Sequence, residues 1–279
     1  MTTKIRVFPR KTKWTPDDEL AFVGDPPLFR PPEMPVMISV TFTWDLDESR
    51  RLQKAWNQYY SDVQLGGPAL NDPGGKFEPG IFIKNGIVIT SRGCPKKCDW
   101  CFVPKREGKL RELPIKRGYI ITDNNILACS KNHLESVFNM LSKQRHSAQF
   151  KGGLDAELFK PWHKDLLNSI NVSEMFFACD TPEAIKPLQK VANLLHEYPI
   201  DKKRCFVLIG RTSIEEAENR LGTVYCLGFL PFAQLYQPER KIEYSKEWRD
   251  LARKWSRPAA YRSHESTKAN AVLWESCLR

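Results

Sequence analysis

An α/β architecture is predicted: a partial (β/α)6 barrel of TIM type, with a short N-terminal β-α-β extension and a C-terminal helical tail. Three observations predict it. From Ile87 onward, strand-sized apolar runs alternate with helical stripes about six times. The runs are near-continuously apolar, as parallel strands covered on both faces are. About six such units fall short of the eight that close a β/α barrel, so the barrel is expected to be open.

The N-terminal extension is expected to span residues 1–79, the barrel 80–236 and the tail 237–279. Residues 1–35 are punctuated by Pro26-Pro27, Pro31-Pro32 and Pro35, which predicts an irregular, surface-wrapping lead-in. Val36–Phe42 reads as a strand. Asp45 or Asp47 can cap a helix whose Leu52, Ala55, Trp56 and Tyr59 recur at helical spacing, and Val63–Leu65 reads as a second strand. A Gly/Pro-rich link follows, from Gly66-Gly67-Pro68 to Pro79-Gly80. Ile81–Ile83 and Ile87–Thr90 flank Lys84-Asn85-Gly86, a strong hairpin signal.

Beyond Ile87–Thr90, the expected strands are Tyr119–Thr122, Gln149–Lys151, Met175–Ala178, Cys205–Ile209 and Val224–Leu230. Helices are expected around Leu134, Val137, Phe138 and Leu141, and over Pro161–Ser169. Thr181-Pro182 should open the next, with Thr as cap and Pro at the first position; Ile185, Leu188, Val191 and Leu195 form its buried face. Ser213 and Glu216 have capping-box spacing, followed by Ile214, Ala217 and Leu221. Phe102–Gly118, charged and carrying Pro104 and Pro114, is expected to be loop-like. In the tail, Trp248, Leu251, Ala252 and Trp255 share a helix face that packs onto the barrel.

Composition narrows the function classes. A chain of 279 residues with 41% hydrophobic residues can bury a core, which excludes a wholly disordered protein. No apolar run approaches the ~18–20 residues of a membrane-spanning helix, so no membrane partner is expected. No secretory signal is read at the N-terminus, and a reducing, cytoplasmic setting is expected. Eight Cys are too few for a disulfide scaffold, and three of them lie within eight positions.

Those three are Cys94, Cys98 and Cys101, spaced Cys-x3-Cys-x2-Cys, with Trp100 before the last. Three thiolates on one short loop can hold three irons of a cubane, leaving the fourth iron open to an exogenous chelating ligand. A closed zinc site or a disulfide-linked cluster are the competing readings. Zinc ribbons pair one Cys-x2-Cys with another, and no second pair exists here. Cys179, Cys205 and Cys226 fall in or beside apolar runs, where a free Cys packs as a small hydrophobe. Cys129 follows the second barrel strand and Cys277 lies in the tail. His133, His146, His163, His196 and His264 are scattered, and His196 reads as structural.

The cysteine spacing, the aromatic at 100 and the position after a first barrel strand resemble the radical S-adenosylmethionine (SAM) superfamily, over about residues 80–235. Thr90-Ser91-Arg92-Gly93-Cys94-Pro95 looks most like the branch holding cobalamin-dependent members and methylthiotransferases. The resemblance implies a [4Fe–4S] cluster on Cys94, Cys98 and Cys101, with SAM chelating the open iron. It implies one-electron cleavage of SAM to a 5′-deoxyadenosyl radical that abstracts hydrogen from a substrate. It also implies a reducing partner of flavodoxin or ferredoxin type. A non-catalytic or electron-transfer iron–sulfur protein on the same scaffold, and a zinc-stabilised nucleic-acid-binding module, are the alternatives.

Secondary positions carry over from that resemblance at the strand ends. Asp123 and Asn124, in the run Asp123-Asn124-Asn125, suit an ammonium group, though Asx-rich turns look alike. Gly153 permits close approach of a ligand, and Asp155 or Glu157 can contact ribose or substrate. Asp180 ends the fourth strand and either faces the barrel mouth or starts a helix. Gly210 resembles the segment near adenine, and Arg211 can pair with the SAM carboxylate. Trp100 joins this cofactor-binding set. No catalytic side chain and no substrate are assigned.

The N-terminal piece is too short for a cobalamin-binding domain. No His precedes His133 and no Cys precedes Cys94, so neither a cobalt-ligating imidazole nor a second cluster is expected there. Net charge is +10, and Arg92–Arg117 holds nine Lys/Arg against three acids. An anionic substrate such as a nucleotide or nucleic acid, an acidic electron donor, or a merely solvated loop each fit that excess. The Trp248, Trp255, Tyr261 and Trp274 aromatics among basic residues suit single-stranded nucleic acid, but helical spacing favours core packing.

Overall fold

A computed structural model describes residues 4–71, 77–239 and 241–263. His264, Trp274 and Cys277 lie outside the described residues. The chain forms an α/β structure with two parallel sheets and two hydrophobic clusters.

The first sheet overturns the expectation of an irregular lead-in. β1 (Ile5–Phe8) and β2 (Ala21–Val23) pair in parallel, and β1 also pairs with β3 (Val36–Ser39). After α1 (Leu46–Trp56), β4 (Val63–Gly66) completes the order β2-β1-β3-β4. The prolines occupy the connections, where no ladder N–H is lost. Ile5, Val7, Val36, Ile38, Leu52 and Trp56 are all fully buried between sheet and helix. The cap expected of Asp45 or Asp47 is not made: no side chain caps α1, and Asp45 instead holds Arg10 through both carboxylate oxygens. Arg6, also fully buried, ties this sheet to the next unit by donating to Gly80 O and Ile81 O at 3.2 and 2.9 Å.

The expected hairpin about Asn85-Gly86 does not form. Ile81–Ile83 is a turn closed by Gly80 N–H on Ile83 O at 2.8 Å. β5 is only Ile87–Val88; its neighbour is a strand 33 residues downstream in parallel register, Ile87 opposite Ile120. Burying Ile87 and Val88 in the large sheet outweighs the local turn preference. The chain then leaves that sheet: β6 (Ser91–Arg92) pairs antiparallel with β7 (Arg111–Glu112). Between them lies the cysteine loop, with one four-residue helix, α2 (Val103–Arg106), so Phe102–Gly118 is the loop-like segment expected.

The second sheet continues with β8 (Ile120–Ile121), β9 (Ala148–Leu154), β10 (Val172–Ala178), β11 (Lys203–Ile209) and β12 (Leu230–Leu235). Its order is β5-β8-β9-β10-β11-β12, all parallel. The intervening helices are α3 (Lys131–Ser142), α4 (Pro161–Asn168), α5 (Ile185–Leu194) and α6 (Ile214–Cys226). β11 turns alternate residues to the core, Cys205, Val207 and Ile209 each at 0% exposure, whereas β10 buries Met175, Phe176 and Phe177 in succession. Ser213 and Glu216 close the expected capping box. Thr181 does not cap with its side chain; a short 3-10 turn, Pro182–Ala184, leads into α5 instead.

The sixth strand is displaced. Val224–Cys226 belongs to α6, because Val224 continues the buried stripe of Ala217 and Leu221. The strand starts at Leu230, and Cys226 closes a helix rather than lining a strand. α7 (Lys246–Trp255) packs on β12, burying Leu251 and Trp255, and α8 (Pro258–Ser263) follows. Trp255 stacks on the buried Tyr261 at 5.1 Å, so the tail aromatics within the described residues are packing groups. No helix among the described residues is long and apolar enough to cross a membrane.

Candidate functional site

Parallel pairing sets the C-terminal ends of β5, β8, β9, β10 and β11 along one edge of the second sheet. The cysteine loop lies across that edge, held by a contact to each neighbouring strand end. Cys94, Cys98 and Cys101 are partly exposed free thiols. Burial raises the Cys98 thiol most, and the nearby charge of Cys101 adds to it; Cys101 is raised by burial and then by Cys94. Among the described residues, no three His, Cys, Asp or Glu side chains are placed to hold a single metal ion. A cubane spreads its ligands over separate irons, so it asks for thiols grouped on one loop rather than converging on one point. The three thiols are free, with no disulfide among them, and among the described residues no fourth Cys or His side chain joins them.

Asp123 follows β8 but does not face outward. It is 1% exposed and clamps the start of the cysteine loop. Its Oδ1 accepts from Thr90 N at 2.7 Å, and its Oδ2 accepts from Thr90 Oγ1 and Ser91 Oγ, each at 2.6 Å. Burial raises its pKa against the pull of those donors. With its acceptors so engaged, Asp123 is a structural clamp. Asn124 is also committed: its Oδ1 accepts from Gly93 N at 2.9 Å.

Asn125 is the member of the run with an acceptor to spare. It is 4% exposed, and its Oδ1 has no hydrogen-bond partner. Its Nδ2 donates to Cys94 Sγ at 3.5 Å and to Asp155 Oδ2 at 3.0 Å. Sequence reasoning set aside Asn125 for its neighbours, since three adjacent Asx residues carry no signal that separates them. Only the backbone path after β8 decides which one turns inward.

Asp155, after β9, and Glu157 are both engaged by the cysteine loop: Lys96 Nζ bridges Asp155 Oδ1 and Glu157 Oε2, each at 3.0 Å. Gly152, just before, has no room for a side chain, because a Cβ there would stand 1.9 Å from Asp123 O. Gly153 has φ +100° and open space where a Cβ would be. Asp180, after β10, accepts from Leu208 N at 2.9 Å and from the Trp100 indole. Burial raises its carboxyl, and its charge reaches Cys98 and Cys101.

The end of β11 is more occupied than expected. Tyr244 covers Gly210, where a Cβ would stand 2.6 Å from the ring. Arg211 pairs with Asp99 at 2.8 Å and lies 5.0 and 5.3 Å from the Trp100 and Tyr236 rings. In this arrangement Arg211 secures the loop from the far side. Lys96 and Asp99, both inside the loop, are the anchoring residues that motif reasoning missed.

Part of the basic excess is neutralised in place. Arg92 pairs with Glu107 at 3.1 Å, Lys116 with Glu78 at 2.7 Å, and Lys105 with Glu239. Lys97 and Lys109 stay exposed. The described histidines stand apart from the thiols in their contacts. His163 accepts from Lys160 N, His146 lies against Tyr119, His196 is bonded to Asn193 O, and His133 lies 3.8 Å from Glu112. Neither protein-family models nor curated proteins match the chain.

Proposed function

We propose that the chain is a radical SAM enzyme, with a [4Fe–4S] cluster on Cys94, Cys98 and Cys101 at the mouth of a partial (β/α)6 barrel. The observation that carries this is one juxtaposition: three free thiols on one loop, the first of them against Asn125, a buried amide whose Oδ1 lacks a partner. When bound, the cluster would supply the electron for reductive cleavage of SAM. The chain's own residues do the rest by placement. Asn125 Oδ1 offers an acceptor to an ammonium group beside Cys94. Asp180, buried and near Cys98 and Cys101, bounds the opposite side of the loop. Trp100, held by Asp180 and Arg211, stands on that same side. Exposed Lys97 and Lys109 suit an acidic reducing partner of flavodoxin or ferredoxin type, or an anionic substrate such as nucleic acid.

Anaerobic reconstitution with assay of iron, sulfide and 5′-deoxyadenosine tests the reading. Iron, sulfide and reductant-dependent 5′-deoxyadenosine are expected, and Cys98→Ala should lose all three. Zinc without iron or sulfide would overturn the reading. A loaded cluster that never cleaves SAM, with candidate anionic substrates present, would make the chain an electron-transfer protein instead.

A further inference from the structure

We infer that Asn125 sets the reduction potential of the cluster by donating a hydrogen bond to the Cys94 thiolate, an inference that rests on the iron–sulfur reading above. Its Nδ2 stands 3.5 Å from Cys94 Sγ. The amide's orientation follows from its other contact. The Asp155 carboxylate, paired with Lys96, offers only acceptors, so the Asn125 atom 3.0 Å from its Oδ2 is the nitrogen. One amide hydrogen therefore goes to Asp155 and the second to sulfur.

The contact is built in. Asn125 is 4% exposed, so it cannot swing into water without opening the fold. Asp155 holds it from behind, and Lys96 holds Asp155 from within the cysteine loop. The path Cys94–Asn125–Asp155–Lys96 returns to the loop it left, which fixes the amide against the sulfur. Reduction places extra negative charge on the cluster, part of it on its thiolate ligands. A donor aimed at such a sulfur stabilises the reduced form more than the oxidised form, and hydrogen bonds to sulfur are among the determinants of cluster potential. Burial strengthens the effect, because few water dipoles compete.

The test is a redox titration of the full chain, reconstituted anaerobically without SAM and followed by electron paramagnetic resonance of the reduced cluster. Asn125→Ala and Asn125→Asp should load iron and sulfide yet titrate at more negative potentials than the native chain. The Asp variant should lie lower, since it replaces a donor with a negative charge. Native potentials in both loaded variants would overturn the inference. Should neither variant load, pulsed resonance on the native chain, labelled with 15N in its Asn side-chain amides, decides. A nitrogen coupling to the cluster supports the hydrogen bond, and its absence overturns it. A native chain that takes up no iron and sulfide overturns the site reading itself, an outcome distinct from unchanged variant potentials.

Discussion

Asp123 and Thr90 share two hydrogen bonds 33 residues apart in sequence, Thr90 N to Asp123 Oδ1 at 2.7 Å and Thr90 Oγ1 to Oδ2 at 2.6 Å. The pair locks the end of β8 directly to the entrance of the cysteine loop. Asp123→Ala strands three buried donors, counting Ser91 Oγ. The expected loss of unfolding free energy is about 3–5 kcal/mol, because each stranded buried donor costs about 1–3 kcal/mol and the losses overlap. Asp123→Asn, which keeps one acceptor, should cost less. Denaturant unfolding measures both, and a loss below about 1 kcal/mol for Asp123→Ala would refute the clamp.

Adjacent glycines should respond differently. Gly152→Ala drives a Cβ onto the Asp123 carbonyl, a backbone atom that cannot rotate away. Its cost should exceed the 1–3 kcal/mol or so usual for overpacking, because the obstacle is backbone. Gly153→Ala meets no atom and suffers only its φ of +100°, about 1–2 kcal/mol. Thermal unfolding of the two variants tests the order; equal melting points would contradict the close approach of β9 to β8.

His163 predicts a pH dependence. Burial lowers its pKa from 6.5 to about 4, and Lys160 N–H donates to Nδ1 of the neutral ring at 2.9 Å. Between those two values the unfolded chain holds a proton that the folded chain lacks. The contribution is therefore complete above pH 6.5 and lost progressively as pH falls towards 4. Integrated over that window it amounts to about 3 kcal/mol. Unfolding at pH 7 and pH 5 should show a smaller pH difference for His163→Gln than for the native chain. Parallel losses in the two would assign the acid sensitivity elsewhere.

The tail aromatics offer a packing test. Trp255 is 8% exposed and stacked on Tyr261, so Trp255→Ala should cost about 3–5 kcal/mol. A variant as stable as the native chain, but weaker in binding single-stranded DNA, would return the residue to the surface role that its basic neighbours suggest.

By itself, the sequence determined the repeating units of the second sheet as far as β11, and the loop that carries the thiols. Periodicity and spacing are local properties: Leu134, Val137, Phe138 and Leu141 bury one helix face wherever α3 sits, and Cys94, Cys98 and Cys101 share a loop whatever surrounds it. Tertiary structure decided the rest. β1 and β2 are strands because a neighbouring strand and α1 cover them, a gain invisible in a proline-rich segment. Ile87–Val88 joins a strand far along the chain because sheet burial outweighs a two-residue turn. Asp123, Asn124 and Asn125 are interchangeable in a string of letters. The direction of the backbone after β8 makes the first a clamp, the second a brace for Gly93 and the third a buried amide against Cys94. Which polar atom is left without a partner depends on long-range geometry, and only the fold supplies it.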